Sequence, residues 1–132
     1  MEPTSKGIIK ADIIAARQAI EYFEEHKTKD IKNIAGYHLQ QASEKIIKNQ
    51  IYKQLDDESI DFNKMFVHDL DKLIAYANSE NIKLNIPKYI VSNRNEISKW
   101  EAGSRYELGI SVRIDTLKKT YNVISEWYDE IM

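Results

Sequence analysis

Apolar residues along this chain recur at steps of three and four, no stretch reads as a strand, and the pattern predicts five helices. Helix one, over Ser5–Glu25, places Ile9, Ile13, Ala16, Ile20 and Phe23 on one face, with Pro3 and Thr4/Ser5 as start signals. The polar turn Lys27–Asp30 is short enough to make helices one and two antiparallel neighbours. Helix two runs from Asp30 to near Lys53. Lys53–Val67 then reads as a loop, rich in Asp, Glu and Asn, whose Phe62, Met65 and Phe66 fold part of it back over the core. Helix three begins at His68-Asp69, buries Leu70, Leu73, Ile74 and Ala77, and ends near Asn78-Ser79. Asp69 and Asp71 suit the dipole in its first turn. After an extended connector, Asn81–Ile86, helix four opens with Pro87, aligns Ile86, Ile90, Asn93, Ile97 and Trp100, and stops at Gly103. A second turn, Ser104–Gly109, leads to helix five over Ile110–Ile131, where Ile110, Ile114, Leu117, Tyr121, Ile124 and Tyr128 give the cleanest periodicity. The sum is an all-α bundle of four or five helices, mostly antiparallel.

Helix two organises the rest. Ala35, Leu39, Ala42 and Ile46 form one apolar stripe, while Gly36, Ser43, Ile47 and Ile51 form a second side, so this helix touches protein on two sides. The small residues Ala35, Gly36, Ala42 and Ser43 let neighbouring helices approach closely. Between the apolar sides lies a polar stripe of Tyr37, His38, Gln41, Lys45 and Lys48. Ile47 and Ile51 look like spare apolar surface, which predicts a dimer built on helices two and four.

Composition changes this picture little. A chain of 132 residues is one domain, 1–132, long enough to bury a core without staples. The absence of Cys excludes disulfides, thiol nucleophiles and thiolate zinc sites, and fits a reducing cytoplasm. The formal net charge of −2 argues against coating nucleic acid by bulk charge, but leaves room for a local basic patch. The start, Met1-Glu2-Pro3-Thr4, has no secretory pattern, and no apolar run approaches transmembrane length.

Candidate chemistry clusters in four places. Tyr37, His38, Gln41 and Lys45 combine an aromatic face, a titratable ring, an amide and a cation, a mix that stacks a base and holds a phosphate; the structural alternative has both rings half-buried and the lysines reaching water. His68-Asp69-Leu70 offers a base or phosphate donor in His68, or simply a helix start capped by Asp69. Arg94 borders the apolar face of helix four and needs a phosphate or a salt bridge, with Glu101 as the candidate partner. Arg105-Tyr106 lies in a turn, suited either to bidentate phosphate binding or to locking helix four. No phosphate loop, dinucleotide fingerprint, nucleophile elbow or metalloprotease motif is present, and His26, His38 and His68 lie far apart, so neither cofactor nor metal is expected.

Three stretches together resemble the HEPN family, the higher eukaryotes and prokaryotes nucleotide-binding domain. Gly36-Tyr37-His38-Leu39-Gln40-Gln41-Ala42-Ser43-Glu44-Lys45 is similar to the family's Tyr/Phe-His-x-Gln-Gln-Ala-x-Glu-Lys helix, His68-Asp69-Leu70 to the opening of its third helix, and Arg105-Tyr106 to the pair before its last helix. The resemblance, from Ile8 to Ile131, implies an antiparallel four-helix bundle with an additional short helix, usually dimeric. Many members resemble metal-independent ribonucleases that carry Arg followed four to six residues later by His. Here Arg94 is followed at those positions by Lys99, Trp100 and Glu101, so the general acid–base group is missing and no catalytic residue is expected. The resemblance therefore implies a binding module for a nucleotide or RNA phosphate, an accessory subunit of a toxin–antitoxin or nucleotidyltransferase-type system with such an enzyme as partner. Its ligand groups would be Tyr37, His38, Gln41, Lys45, His68, Arg94, Arg105 and Tyr106. The alternatives are a ribonuclease in which His38 or His68 replaces the missing histidine, and a dimeric subunit that binds only protein.

Overall fold

The computed structural model describes residues 3–105 and 112–132, with the backbone alone over 102–105. Ser5 opens the first helix from an extended backbone, and its Oγ accepts the Ile8 amide at 3.3 Å. That helix, α1 (Lys6–His26), ends on Lys27 in the left-handed conformation, φ 57°, where the Lys27 amide donates to the Phe23 carbonyl at 2.7 Å. A short turn then reverses the chain into α2 (Asp30–Gln54). The two helices are antiparallel. Asn49, near the end of α2, clamps Thr4 ahead of α1, accepting from the Thr4 amide and donating to the Thr4 carbonyl, both at 2.8 Å.

Both expected sides of α2 are buried. Ala35, Leu39, Ala42 and Ile46 on one side and Ser43, Ile47 and Ile51 on the other have no exposed surface, and Gly36 is buried with them. Ile47 and Ile51 are therefore not spare surface for a dimer. The chain's own helices cover them, and the argument that made α2 a dimer face fails on that burial.

The loop after α2 is shorter in irregular structure than expected. It contains a 3-10 turn (Asp57–Ser59) and α3 (Phe62–Met65), where Asp61 Oδ1 caps the Asn63 amide at 3.1 Å. Ile60 and Met65 fold back into the core, whereas Phe66 is 61% exposed and stacks on Phe62. α4 (Leu70–Ser79) starts as predicted: Asp69 Oδ1 accepts the amides of Asp71 and Lys72 at 2.9 and 3.3 Å.

Helix four is two helices, α5 (Lys88–Ser92) and α6 (Arg94–Arg105). The break falls at Asn93, φ −110° and ψ 15°, whose side-chain amide donates to the Tyr89 carbonyl at 2.8 Å and competes with the backbone ladder there. Nor does Gly103 stop the helix, which runs on to Arg105. Glycine in a helix costs about 1 kcal/mol, a handicap that packing overrides unless the backbone turns left-handed.

The last helix, α7 (Ile114–Ile131), begins later than its periodicity predicts. Val112 and Arg113 are non-helical, with Arg113 at ψ 145°, and Lys32 Nζ holds the Val112 carbonyl at 3.0 Å. Most of the expected turn Ser104–Gly109, and Ile110, lie outside the described residues. α7 runs antiparallel to α1, with Tyr128 Oη on the Lys6 carbonyl at 3.2 Å and Lys118 Nζ on Glu24 at 3.2 Å.

The result is an all-helical packing around α2, which contacts α1, α4, α6 and α7. Trp100 of α6 and Trp127 of α7, each 1% exposed, are the largest core side chains. Among the described residues there is no strand, and no helix is long and apolar enough to cross a membrane.

Candidate functional site

The polar candidates are sorted by three carboxylates. The first is Asp12, on α1, which the sequence reading missed. Its Oδ1 accepts from His38 Nδ1 at 2.8 Å and its Oδ2 from Lys45 Nζ at 2.6 Å. The Asp12 side chain is only 10% exposed. Burial alone would raise its pKa, but the hydrogen bonds and charges of His38 and Lys45 outweigh that and hold the carboxyl below its ordinary value. A signal was available: Asp12 has Ile9 and Ala16 one turn to either side and Ile13 next to it, so a charge there must find a partner.

The second carboxylate, Glu44 of α2, is 6% exposed at its side chain. Its Oε1 accepts from His68 Nδ1 at 2.9 Å and from Gln40 Nε2 at 3.0 Å, and its Oε2 from Lys48 Nζ at 2.9 Å. Gln40 also donates to the His68 carbonyl at 2.7 Å, fixing the entry to α4 from both main chain and ring. Gln41 donates to Gln40 Oε1 at 2.8 Å, and Tyr37 meets the His38 ring edge-on. Because a carboxylate only accepts, His68 carries its proton on Nδ1, which leaves Nε2, without a hydrogen-bond partner among the described residues, as the acceptor in the neutral ring.

The third is Asp71 of α4. It takes the Arg94 guanidinium through Nε at 2.6 Å, while Nη1 donates to the Val91 carbonyl at 2.8 Å. Asp71, not Glu101, is the partner of Arg94; it is brought there by the docking of α4 against α6.

Of the residues expected to form one ligand groove, the fold therefore brings His38 and Lys45 together on Asp12, with Tyr37 beside them, but commits both to an internal network. Gln41 links that stripe toward the Glu44 network that orients His68. Arg94 is paired separately. The Arg105 side chain and Tyr106 lie outside the described residues.

A cleft of about 670 Å³ opens where the start of α4 meets α6, lined by His68, Lys72, Asn95, Ser98 and Lys99. Ser98 is already used: its Oγ donates to the Arg94 carbonyl at 2.6 Å and accepts the Leu70 amide at 2.9 Å. Lys72 and Lys99 are exposed and make no ion pair with the described residues, unlike Lys45, Lys48 and Arg94. Nothing in the local sequence pattern distinguishes these two lysines from ordinary solvated charges. No group of three or more His, Asp and Glu side chains among the described residues could hold a metal ion.

The fold and these networks define an all-helical protein in which two exposed lysines, Lys72 and Lys99, line one cleft with His68. No family model, curated protein or solved structure matches the chain. The HEPN resemblance accordingly rests on its three sequence stretches.

Proposed function

We propose that this chain is a HEPN-like helical binding module that holds the phosphate of a nucleotide or RNA in the α4–α6 cleft. One observation carries the proposal: Lys72 and Lys99 line the same cleft as the oriented ring of His68, while Lys45, Lys48 and Arg94 are bound to carboxylates. Free ammonium groups bind phosphate as point charges, and a histidine whose Nδ1–H is tied to a carboxylate adds a second charge once protonated. The sequence resemblance supports placing such a module beside a nucleotidyltransferase or within a toxin–antitoxin pair, as an accessory subunit.

Calorimetric titration with inorganic phosphate, mononucleotides and short RNA tests this. Lys72→Ala and Lys99→Ala are each expected to weaken binding about fivefold, the worth of roughly 1 kcal/mol for an exposed charge pair, and more at low salt. Absence of binding to every phosphate compound removes the proposal.

The His68–Glu44 pair favours a second reading, a ribonuclease in which His68 stands in for the missing histidine. Carboxylate, imidazole and an open Nε2 form the arrangement of a general base. On this reading His68→Ala abolishes RNA cleavage and Glu44→Gln reduces it, with His38→Ala near wild type. Background cleavage in all variants and in the wild type excludes it.

A further inference from the structure

The α4–α6 cleft adjoins a second cavity of about 310 Å³ between α3 and α4, and Val67 and Lys72 line both. The smaller cavity has a different character. Val67, Ala75 and Tyr76 supply apolar walls, Asn63 and Lys64 supply an amide and a cation, and the Ser79 hydroxyl, which donates to the Tyr76 carbonyl at 2.7 Å, offers only an acceptor. Its shape is preformed: Tyr76 is 4% exposed, its Oη accepts the Asp61 amide at 2.8 Å, and Lys64 Nζ lies 5.9 Å from its ring centroid. Each volume falls within the range of about 300–1,000 Å³ usual for small-molecule sites.

A ligand that uses both cavities has an apolar, hydrogen-bonding body joined to an anion. Inorganic phosphate alone would leave the α3–α4 cavity wet. A purely apolar molecule would leave Lys72 and Lys99 without a partner. The cleft also limits the charge it accepts, because Asp69 and Glu101 line it beside the lysines. Asp69 already caps the first amides of α4, so the anion meets lysine side chains rather than the helix end. We propose that the ligand is a nucleoside monophosphate lying across Lys72, with its base in the α3–α4 cavity and its phosphate in the α4–α6 cleft. This rests on the phosphate-binding function proposed above and adds to it a base subsite and a preference for one phosphate over three.

Calorimetry on the full chain with ribose 5-phosphate, AMP, ATP and hexyl phosphate tests the base subsite apart from the phosphate site. AMP is expected to bind about tenfold tighter than ribose 5-phosphate, the scale of one well-placed base. ATP should bind no tighter than AMP. Ala75→Leu, at an exposed helical position where leucine is well tolerated, fills the apolar cavity. It should reduce AMP to the affinity of ribose 5-phosphate and leave ribose 5-phosphate unchanged, whereas Lys72→Ala weakens both. Equal binding of AMP and ribose 5-phosphate by the wild type overturns the base subsite while the phosphate site stands. Hexyl phosphate binding as tightly as AMP also overturns it, because the cavity would then be taking any apolar tail. Failure of all four compounds to bind overturns both proposals.

Discussion

Glu44→Ala is expected to destabilise the fold by about 3 kcal/mol, the lower end of what breaking a buried charge network costs. Three donors converge on this carboxylate, which is 6% exposed, and all three lose their acceptor at once. Lys48, 15% exposed, is left as a nearly buried cation. His68 is half-exposed and recovers water more easily, which keeps the estimate from the upper end of the range. Gln40, fully buried, keeps its bond to the His68 carbonyl and loses one acceptor. For a domain of this size about 3 kcal/mol lowers Tm by roughly 10 °C. Urea unfolding followed by circular dichroism measures it. Glu44→Gln, which keeps the volume and one acceptor oxygen, should cost about half as much. A loss below about 1 kcal/mol for Glu44→Ala would mean that Lys48 reaches water freely and that the network contributes little.

Asp12→Asn is expected to cost about 2 kcal/mol at neutral pH and progressively less in acid. Asp12 joins α1 to α2 through His38 and Lys45, and the substitution removes the charge that the imidazole and the ammonium face. The sign follows from the lowered pKa. A carboxyl with a folded-state value below the ordinary 3.8 contributes stability that is fully present above that pH. The contribution is lost as the pH falls from there through the lower folded-state value. The gap between wild type and Asp12→Asn should therefore close as the pH falls below 3.8. Denaturant midpoints of both proteins across that range test it. A gap that widened in acid would mean that the carboxyl is stabilised as the neutral acid, contrary to the geometry.

Much of the architecture was legible in the chain because helix faces are written locally. Residues three and four apart share a face whatever surrounds the helix, so the two buried sides of α2 follow from its own sequence. Ser5 and Asp69 mark helix starts for a similar reason, since a cap bonds amides two or three residues away. The expected stop at Gly103 and the unbroken helix four failed at positions where propensity is weak and packing decides. Asn93 breaks the helix through one side-chain bond to the Tyr89 carbonyl, a competition that its residue type allows in many settings and carries out in few.

The candidate site was less legible. Tyr37, His38, Gln41 and Lys45 were identified as one stripe, which is a local property, but a stripe does not reveal its partners. Asp12 reaches His38 across 26 residues and Lys45 across 33, Glu44 reaches His68 across 24, and Asp71 reaches Arg94 across 23. The helical class, the central place of α2 and the membership of its polar face were readable from the residues alone, since those depend on periodicity along one rod. That Asp12 takes Lys45, that Asp71 takes Arg94 and that Lys72 and Lys99 come to line one cleft was settled by folding, because the meeting of charges depends on how separate helices dock, and burial of their apolar faces sets that docking.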